Sequence, residues 1–435
     1  MRVALKSGVV LGALTAVVAG PVFAQSATGS LRSAQDQSAD LFARDRSVAV
    51  RERSRPEYEA LGTRAGTFMV YPKIEWSAEG NDNVFAVATG EDNDVIFRVR
   101  PDVSLESTWS RHALAAFARA SIDRYQDFDT EDSETWSAGA SARLDVVRGA
   151  AINFGADYAS LIEPRTSSNT PGFAAEPVQY DITQAFLAAG RTLGRVRLSG
   201  RGDVRTFDYS DVRSVTNTVI DQDDRDREIR SLTGRVDVAL SPATALFVQV
   251  TGNDRDYDVA STPVFAARDS SGYEALAGVN FELGAVARGE LAAGYISQAY
   301  DDARFKDISG FGARAQVEWF PTELTTFTAT GSRTIEDAGI AGSNGYLSSS
   351  IGVRVDHELL RNLILTASAN RSVDAYEGID REDTRLDAGI SGTWLVNRNF
   401  GVNLAASRFE QESSGVRGGP DFTVNRLIVS LVTQF

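Results

Sequence analysis

The sequence contains no cysteine, which removes disulfides, thiolate metal sites and cysteine nucleophiles at once. Histidine is almost as scarce: His112 and His357 are the only two, and neither has a second His, Asp or Glu at a ligand spacing such as i, i+4. Each falls in or beside a predicted tight turn and reads as a polar interfacial residue rather than a metal ligand or catalytic base. No serine is set off by a motif that a hydrolase would need, so no enzyme class and no cofactor is implied. Beyond the first two dozen residues no apolar run reaches about 18 residues, so helices do not carry this chain across a bilayer, and a membrane location would require a closed barrel. Basic residues are outnumbered 59 to 44, and the formal charge of -15 would repel a polyanion, which argues against nucleic acid as a partner. Gly139 and the pair Gly310 and Gly312 lie in alternating stretches with no following helix, so they are not phosphate loops and serve strand packing, curvature or bulges.

What is present begins with a leader. Arg2 and Lys6 precede the apolar run Val9 to Ala19, and Val22-Phe23-Ala24 supplies small residues at the right place, so residues 1–24 read as a secretory signal peptide cleaved after Ala24. Residues 25–65 are rich in Ser, Gln, Asp and Arg and end in Arg51-Glu52-Arg53-Ser54-Arg55-Pro56-Glu57, the composition of a flexible or weakly structured periplasmic arm, and a blocked lumen stays open as a reading because this segment could fold into a pore.

From residue 66 to 435 the dominant signal is two-residue alternation. In Arg195 to Tyr209 one parity carries Arg195, Arg197, Arg201, Asp203 and Arg205 and the other Val196, Leu198 and Val204; Phe311 to Trp319 and Arg385 to Trp394 split the same way. A soluble sandwich also alternates, so the connections decide. Tight turns at Arg148-Gly149, Leu193-Gly194, Ser241-Pro242, Gly284-Ala285, Pro321-Thr322, Arg361-Asn362 and Asn397-Arg398 alternate with longer acidic connections such as 164–177 and 210–226. Short periplasmic turns and long external loops mark a transmembrane barrel. The expected fold is therefore all-β, an antiparallel up-and-down transmembrane β-barrel of about eighteen strands. Sixteen is the fallback, because Pro72 and Pro101 fall inside the first two strands, where a missing N–H is awkward.

Parity also nominates residues. Arg143, Arg201, Arg205, Arg235, Arg288, Arg314, Arg354 and Arg385 share a face with acids two or four residues away, among them Asp145, Asp237, Glu290, Glu318, Asp356 and Asp387. That face must be the lumen, since a charge turned to lipid at the midplane costs roughly 2–4 kcal/mol. It can be a salt-bridge network that stiffens the wall, a charged constriction that selects solutes, or both. Tyr125, Tyr209, Tyr257, Tyr300 and Tyr376 each close an upward strand with the parity of its polar residues. Two readings stay open: an aromatic girdle turned to lipid by bulges, or an inward collar whose rings stand in water and stack on sugars. Finally, Val429, Leu431 and the terminal Phe435 occupy one face of the last strand, an ending similar to the signal read by the barrel-assembly machinery.

Arg55-Pro56-Glu57-Tyr58-Glu59-Ala60-Leu61-Gly62, Gly66-Thr67-Phe68-Met69-Val70-Tyr71-Pro72, Asn81-Asp82-Asn83-Val84-Phe85-Ala86 and Trp109-Ser110-Arg111-His112 together resemble the entry segment of a family of outer-membrane β-barrel porins common in alphaproteobacteria, the β-barrel porin 2-like proteins. The resemblance implies a Gram-negative outer-membrane location among lipid and lipopolysaccharide, a porin-like barrel, and prolines as ordinary features of the first hairpin. Some members are similar to barrels of surface-polysaccharide export, so saccharides or export proteins are the alternative partners to small hydrophilic solutes.

Overall fold

A computed structural model describes residues 48–171, 174–262, 266–340 and 342–435; the predicted signal peptide and residues 25–47 of the arm lie outside the described residues. Alternating apolar and polar residues form eighteen wall strands. In chain order they are β1 (Phe68–Asn81), β2 (Asp94–Ser107), β3 (Ala113–Tyr125), β4 (Ser133–Val147), β5 (Ala150–Ile162) and β6 (Gln179–Leu193). Then follow β7 (Val196–Tyr209), β8 (Arg227–Ser241), β9 (Thr244–Tyr257), β10 (Ser270–Leu283), β11 (Ala287–Tyr300) and β12 (Ile308–Thr322). The last six are β13 (Thr325–Asp337), β14 (Gly345–Leu360), β15 (Leu363–Tyr376), β16 (Glu382–Leu395), β17 (Phe400–Ser414) and β18 (Phe422–Gln434). Each pairs antiparallel with its sequence neighbours, and β18 closes the ring on β1 from Lys73↔Gln434 to Asn81↔Arg426. The expected barrel and its count of eighteen are what the chain forms.

Both prolines sit inside strands, and the ladder shows how. Pro101 pairs with Ile74 of β1, while the β2–β3 ladder lapses between Val99↔Ile122 and Asp102↔Arg119, so the absent N–H falls where pairing is interrupted. Pro72 lies below the last β1–β18 pair, where it accepts the Phe435 N–H at 3.2 Å. At the short turns Gly149 and Gly194 hold φ of +78° and +62°, a region where a side chain would be strained.

The two faces of the wall differ sharply. Leu198, Leu232, Val248, Phe311, Ile351 and Ile390 are exposed on the outside, whereas Arg235 and Asp237, on the alternate parity of β8, are 5% and 1% exposed inside. A fourteen-residue strand such as β1 rises roughly 35 Å when tilted, longer than the ~25 Å apolar band typical of transmembrane barrels.

The described part of the arm, residues 48–65, has contacts of its own with the barrel. Thr63–Ala65 pairs with Phe68–Val70, and residues 48–58 lie against the inner wall at the short-turn end of the barrel, with Val50 fully buried. Composition alone could not show this, because the partners that neutralise its arginines lie some 300 residues away in sequence.

Candidate functional site

The lumen is built from the polar parity of the wall strands. Two of the pairings expected within one strand form, Arg143–Asp145 at 2.9 Å and Arg235–Asp237 at 2.9 Å, and Arg201–Asp203 at 2.5 Å adds one that was not expected. The others are exchanged for partners on other strands or on the arm. Glu290 takes Arg235 at 2.8 Å rather than Arg288, Arg288 takes Glu318 at 2.5 Å and Glu52 of the arm at 2.6 Å, and Arg314 takes Glu274 at 3.3 Å rather than Glu318. Arg385 binds Asp374 of β15 at 2.9 Å and not Asp387, whose Oδ2 is buried with no hydrogen-bond partner among the described residues. Asp356 is claimed by Arg51 at 2.7 Å instead of Arg354. For Arg288–Glu318 and Arg385–Asp374 the reason is distance, since same-face neighbours within a strand are nearly 7 Å apart and an adjacent strand is under 5 Å away; Arg235–Glu290 and Arg314–Glu274 instead reach past intervening strands, from β8 to β11 and from β12 to β10. Arg205 and Arg354 form no ion pair among the described residues.

At the end opposite the arm, residues 163–171, the first part of loop 163–178, turn into the barrel. Glu163 pairs with Arg225 of loop 210–226 at 2.7 Å, and Ser168 accepts the Tyr376 hydroxyl at 2.9 Å and the Arg385 guanidinium at 2.8 Å. Asn169 Oδ1 accepts the Gly339 N–H at 2.9 Å, so this loop, which starts from β5, reaches the opposite wall at β13–β16. Nearby, Arg255 and Arg227 converge on Asp337, and Arg268 donates to the Ala338 carbonyl. Beneath loop 163–178 lies a cavity of about 470 Å³ lined by Arg201, Arg205, Gln249, Arg255, Glu274 and Arg314 among others.

The five strand-top tyrosines have their own geometry. Tyr209, Tyr257, Tyr300 and Tyr376 are 6–8% exposed, and Tyr125 is half-buried. Tyr209 stacks on Tyr180 at 5.0 Å and carries the Arg225 guanidinium 4.0 Å above its ring. Tyr257 lies 4.9 Å from the Arg268 guanidinium, Tyr300 donates its hydroxyl to the Asn344 carbonyl at 3.2 Å, and Tyr376 packs on Tyr346 at 4.8 Å. Parity aimed the rings inward, but the loops then covered them: Val178, Val212 and Phe207 form an apolar cluster around Tyr180 and Tyr209. Rings free in water at an open mouth, as a sugar-stacking collar requires, are not what the described residues present.

These tyrosines share a recurring partner whose place in the sequence is regular. Asp132, Asp226, Asp269 and Asp307 each stand one residue before a downward strand and accept the backbone N–H of Tyr125, Tyr209, Tyr257 and Tyr300, at 2.8, 2.6, 2.7 and 3.1 Å. Aspartate satisfies the N–H that would otherwise be orphaned at the top of the ladder. In loop 210–226, burial and the carboxylates of Asp208, Asp223 and Asp258 push the Asp226 carboxyl up to about 6, against the Tyr209 N–H that holds it down. Asp221 pushes up its exposed neighbour Asp223, and these two with Asp211 bring one oxygen each within 4.8 Å of one another.

Both histidines bond within the wall beside tight turns. His112 takes a φ of +67° and its Nδ1 accepts the Asp145 N–H at 3.1 Å, and His357 Nδ1 lies 3.0 Å from the Thr325 hydroxyl. Val429, Leu431 and Phe435 face outward and are exposed.

Among solved structures, the chain is similar to the Pseudomonas aeruginosa protein OpdK crystallised with vanillate, with 10% identity over 84% of this chain and 99% of that one and a TM-score of 0.45. It is similar to a mutant of the ferric enterobactin receptor PfeA from the same organism, at 7% identity over 87% and 81% with a TM-score of 0.46. The siderophore receptor PirA from Acinetobacter baumannii gives 6% identity over 86% and 81%, again at 0.46. No curated protein matches the sequence. The model of the family described as "Putative beta-barrel porin 2" matches residues 55–435, nearly the whole of the described chain, and the protein belongs to that family of outer-membrane β-barrels.

Proposed function

We propose that this porin-family barrel, exported through a signal peptide cleaved after Ala24, is a non-enzymatic channel giving small hydrophilic solutes a polar, aqueous path across the outer membrane. One observation carries the reading. The inward parity bears charge on strand after strand, from Arg143 and Arg201 to Arg235, Arg314 and Arg385, while the outward parity bears Leu198, Leu232, Phe311 and Ile390. A charged interior stays hydrated, and an eighteen-stranded wall is wide enough to enclose water. Because most arginines are paired with a carboxylate close by, the field inside is a patchwork rather than a single sign, which suits weak discrimination. Loop 163–178, tied down at Ser168 and Asn169, supplies the narrowing at the outer end. Export of a surface polysaccharide is the second reading, carried by the tyrosines at the mouth; it needs ring faces that Arg225, Arg268 and the loops now occupy. Purified protein in planar bilayers tests the proposal: stepwise conductance is expected, and a barrel that is folded by heat-modifiable migration yet silent would overturn it.

A further inference from the structure

The basic run of the arm meets an acidic patch on the inner wall at the periplasmic mouth. Asp356 and Glu358, neighbours on the inward parity of β14, are 4% and 6% exposed. Arg51 Nε donates to Asp356 at 2.7 Å and its Nη2 to Thr366 at 2.9 Å. Arg53 and Arg55 both reach Glu358, at 3.3 and 2.7 Å, and Arg55 also donates to the Val50 carbonyl at 2.9 Å, folding the segment on itself. Glu52 answers with Arg288 on β11 at 2.6 Å. The Val50 N–H donates to Thr326 on β13 at 3.0 Å, the Pro56 carbonyl accepts from Arg398 in the β16–β17 turn at 3.1 Å, and the Tyr58 carbonyl accepts from Gln434 on β18 at 3.0 Å. The segment thus follows the inner rim from β11 to β18, crossing a large arc of the opening.

We propose that Asp356, Glu358 and their neighbours Thr326 and Thr366 form a docking site for the chain's own residues 50–58, and that the docked segment is a gate on the periplasmic mouth. The proposal rests on the porin reading and deepens it. Three features make the contact releasable. Residues 48–62 contribute no rung to the wall ladder, so undocking leaves all eighteen strands paired. The attachments are mainly ion pairs and hydrogen bonds beside a water-filled opening, where the freed groups rehydrate and salt screens them. The main apolar anchors are Val50 and Ala49, 0% and 6% exposed. Three arginines opposite two buried carboxylates also give the site its specificity: an acidic segment would be repelled, and a neutral one would leave Asp356 and Glu358 unanswered.

Because the chain has no cysteine, the pair V50C/T326C creates a single possible disulfide. Single-channel conductance of the full mature chain is measured with this pair oxidised and reduced, beside the unmodified protein and a form lacking residues 48–59. The oxidised pair is expected to hold one small step without excursions. The truncated form is expected to show a permanent step larger by roughly twofold or more, since conductance follows the open cross-section. D356N/E358Q, checked for folding by heat-modifiable migration, is expected to raise the time spent in the large state. Equal steps in all four forms would overturn the gate and leave the porin reading standing. Silence in every form would overturn both.

Discussion

The Tyr376 hydroxyl at the top of β15 donates to the Ser168 hydroxyl at 2.9 Å, joining the wall to a loop that starts from β5, nearly halfway round the barrel. Arg385 donates to the same oxygen at 2.8 Å, so this serine holds two of the loop's far contacts, beside the Gly339 N–H on Asn169. Ser168→Ala removes both bonds, and Tyr376→Phe removes one while keeping the ring. Conductance should become noisier and larger in the serine variant and change less in the phenylalanine variant. A double-mutant cycle on thermal stability should return a coupling of about 1 kcal/mol, the usual net worth of such a bond.

The buried tyrosines give an outcome opposite to that expected of rings standing in water. Replacing Tyr209, Tyr257 or Tyr376 with Ala should each destabilise the barrel by roughly 3 kcal/mol, the range for emptying a buried aromatic site. Tyr125→Ala, at the half-buried position, should cost less. Urea unfolding in detergent or lipid reads the difference; equal and negligible effects at all four would contradict the packing described.

Loop 210–226 should respond to pH through Asp226. Its carboxyl holds a proton up to about 6 in the folded loop, against about 3.9 in an unfolded chain. Proton binding therefore favours the docked loop: the contribution is full below about pH 4 and is lost as pH rises through 6. Hydrogen exchange across residues 210–226, corrected for intrinsic rates, should show more protection at pH 5 than at pH 7. Asp226→Asn should flatten that dependence.

Arg235 sits between Asp237, 1% exposed, and Glu290, with its guanidinium 3.7 Å above the Phe247 ring. Arg235→Met strands a buried carboxylate and should cost about 3–5 kcal/mol, whereas Arg235→Met combined with Asp237→Leu should recover much of it. Denaturant titration of the two variants side by side measures this.

Deleting Phe435 should slow barrel assembly in cells while leaving the assembled barrel nearly as stable, because the β1–β18 pairs run from Asn81↔Arg426 to Lys73↔Gln434 without it. Pulse-chase of the heat-modifiable form, followed by unfolding of the purified product, separates the two effects.

The wall was legible because a strand's faces are set by two-residue periodicity: Leu198 and Val204 against Arg201 and Arg205 could be placed on opposite sides without coordinates. Periodicity gives a face but no partner. It aligned Arg385 with Asp387 and Arg314 with Glu318, and the structure paired them elsewhere, because registry between strands depends on turns and tilt. Loops and the arm carry no periodic signal, so neither the reach of Ser168 nor the docking of Arg51 on Asp356 could be read from residue order. Burial of Tyr209 and Tyr376 follows from the same aperiodic loops. The aspartate that precedes β4, β8, β10 and β12 was the one loop feature in plain view.

The closing seam has a consequence for how the molecule comes into being. Lys73 and Gln434 are joined edge to edge although almost the entire chain lies between them. Until β18 has been delivered, β1 and β17 are both open edges with a row of unsatisfied backbone groups that neither lipid nor a neighbouring strand can answer. Every intermediate on the way in is therefore an unsealed sheet that needs an external template or a holding partner, and loss of the last strand would be felt as a failure to close rather than as a smaller barrel.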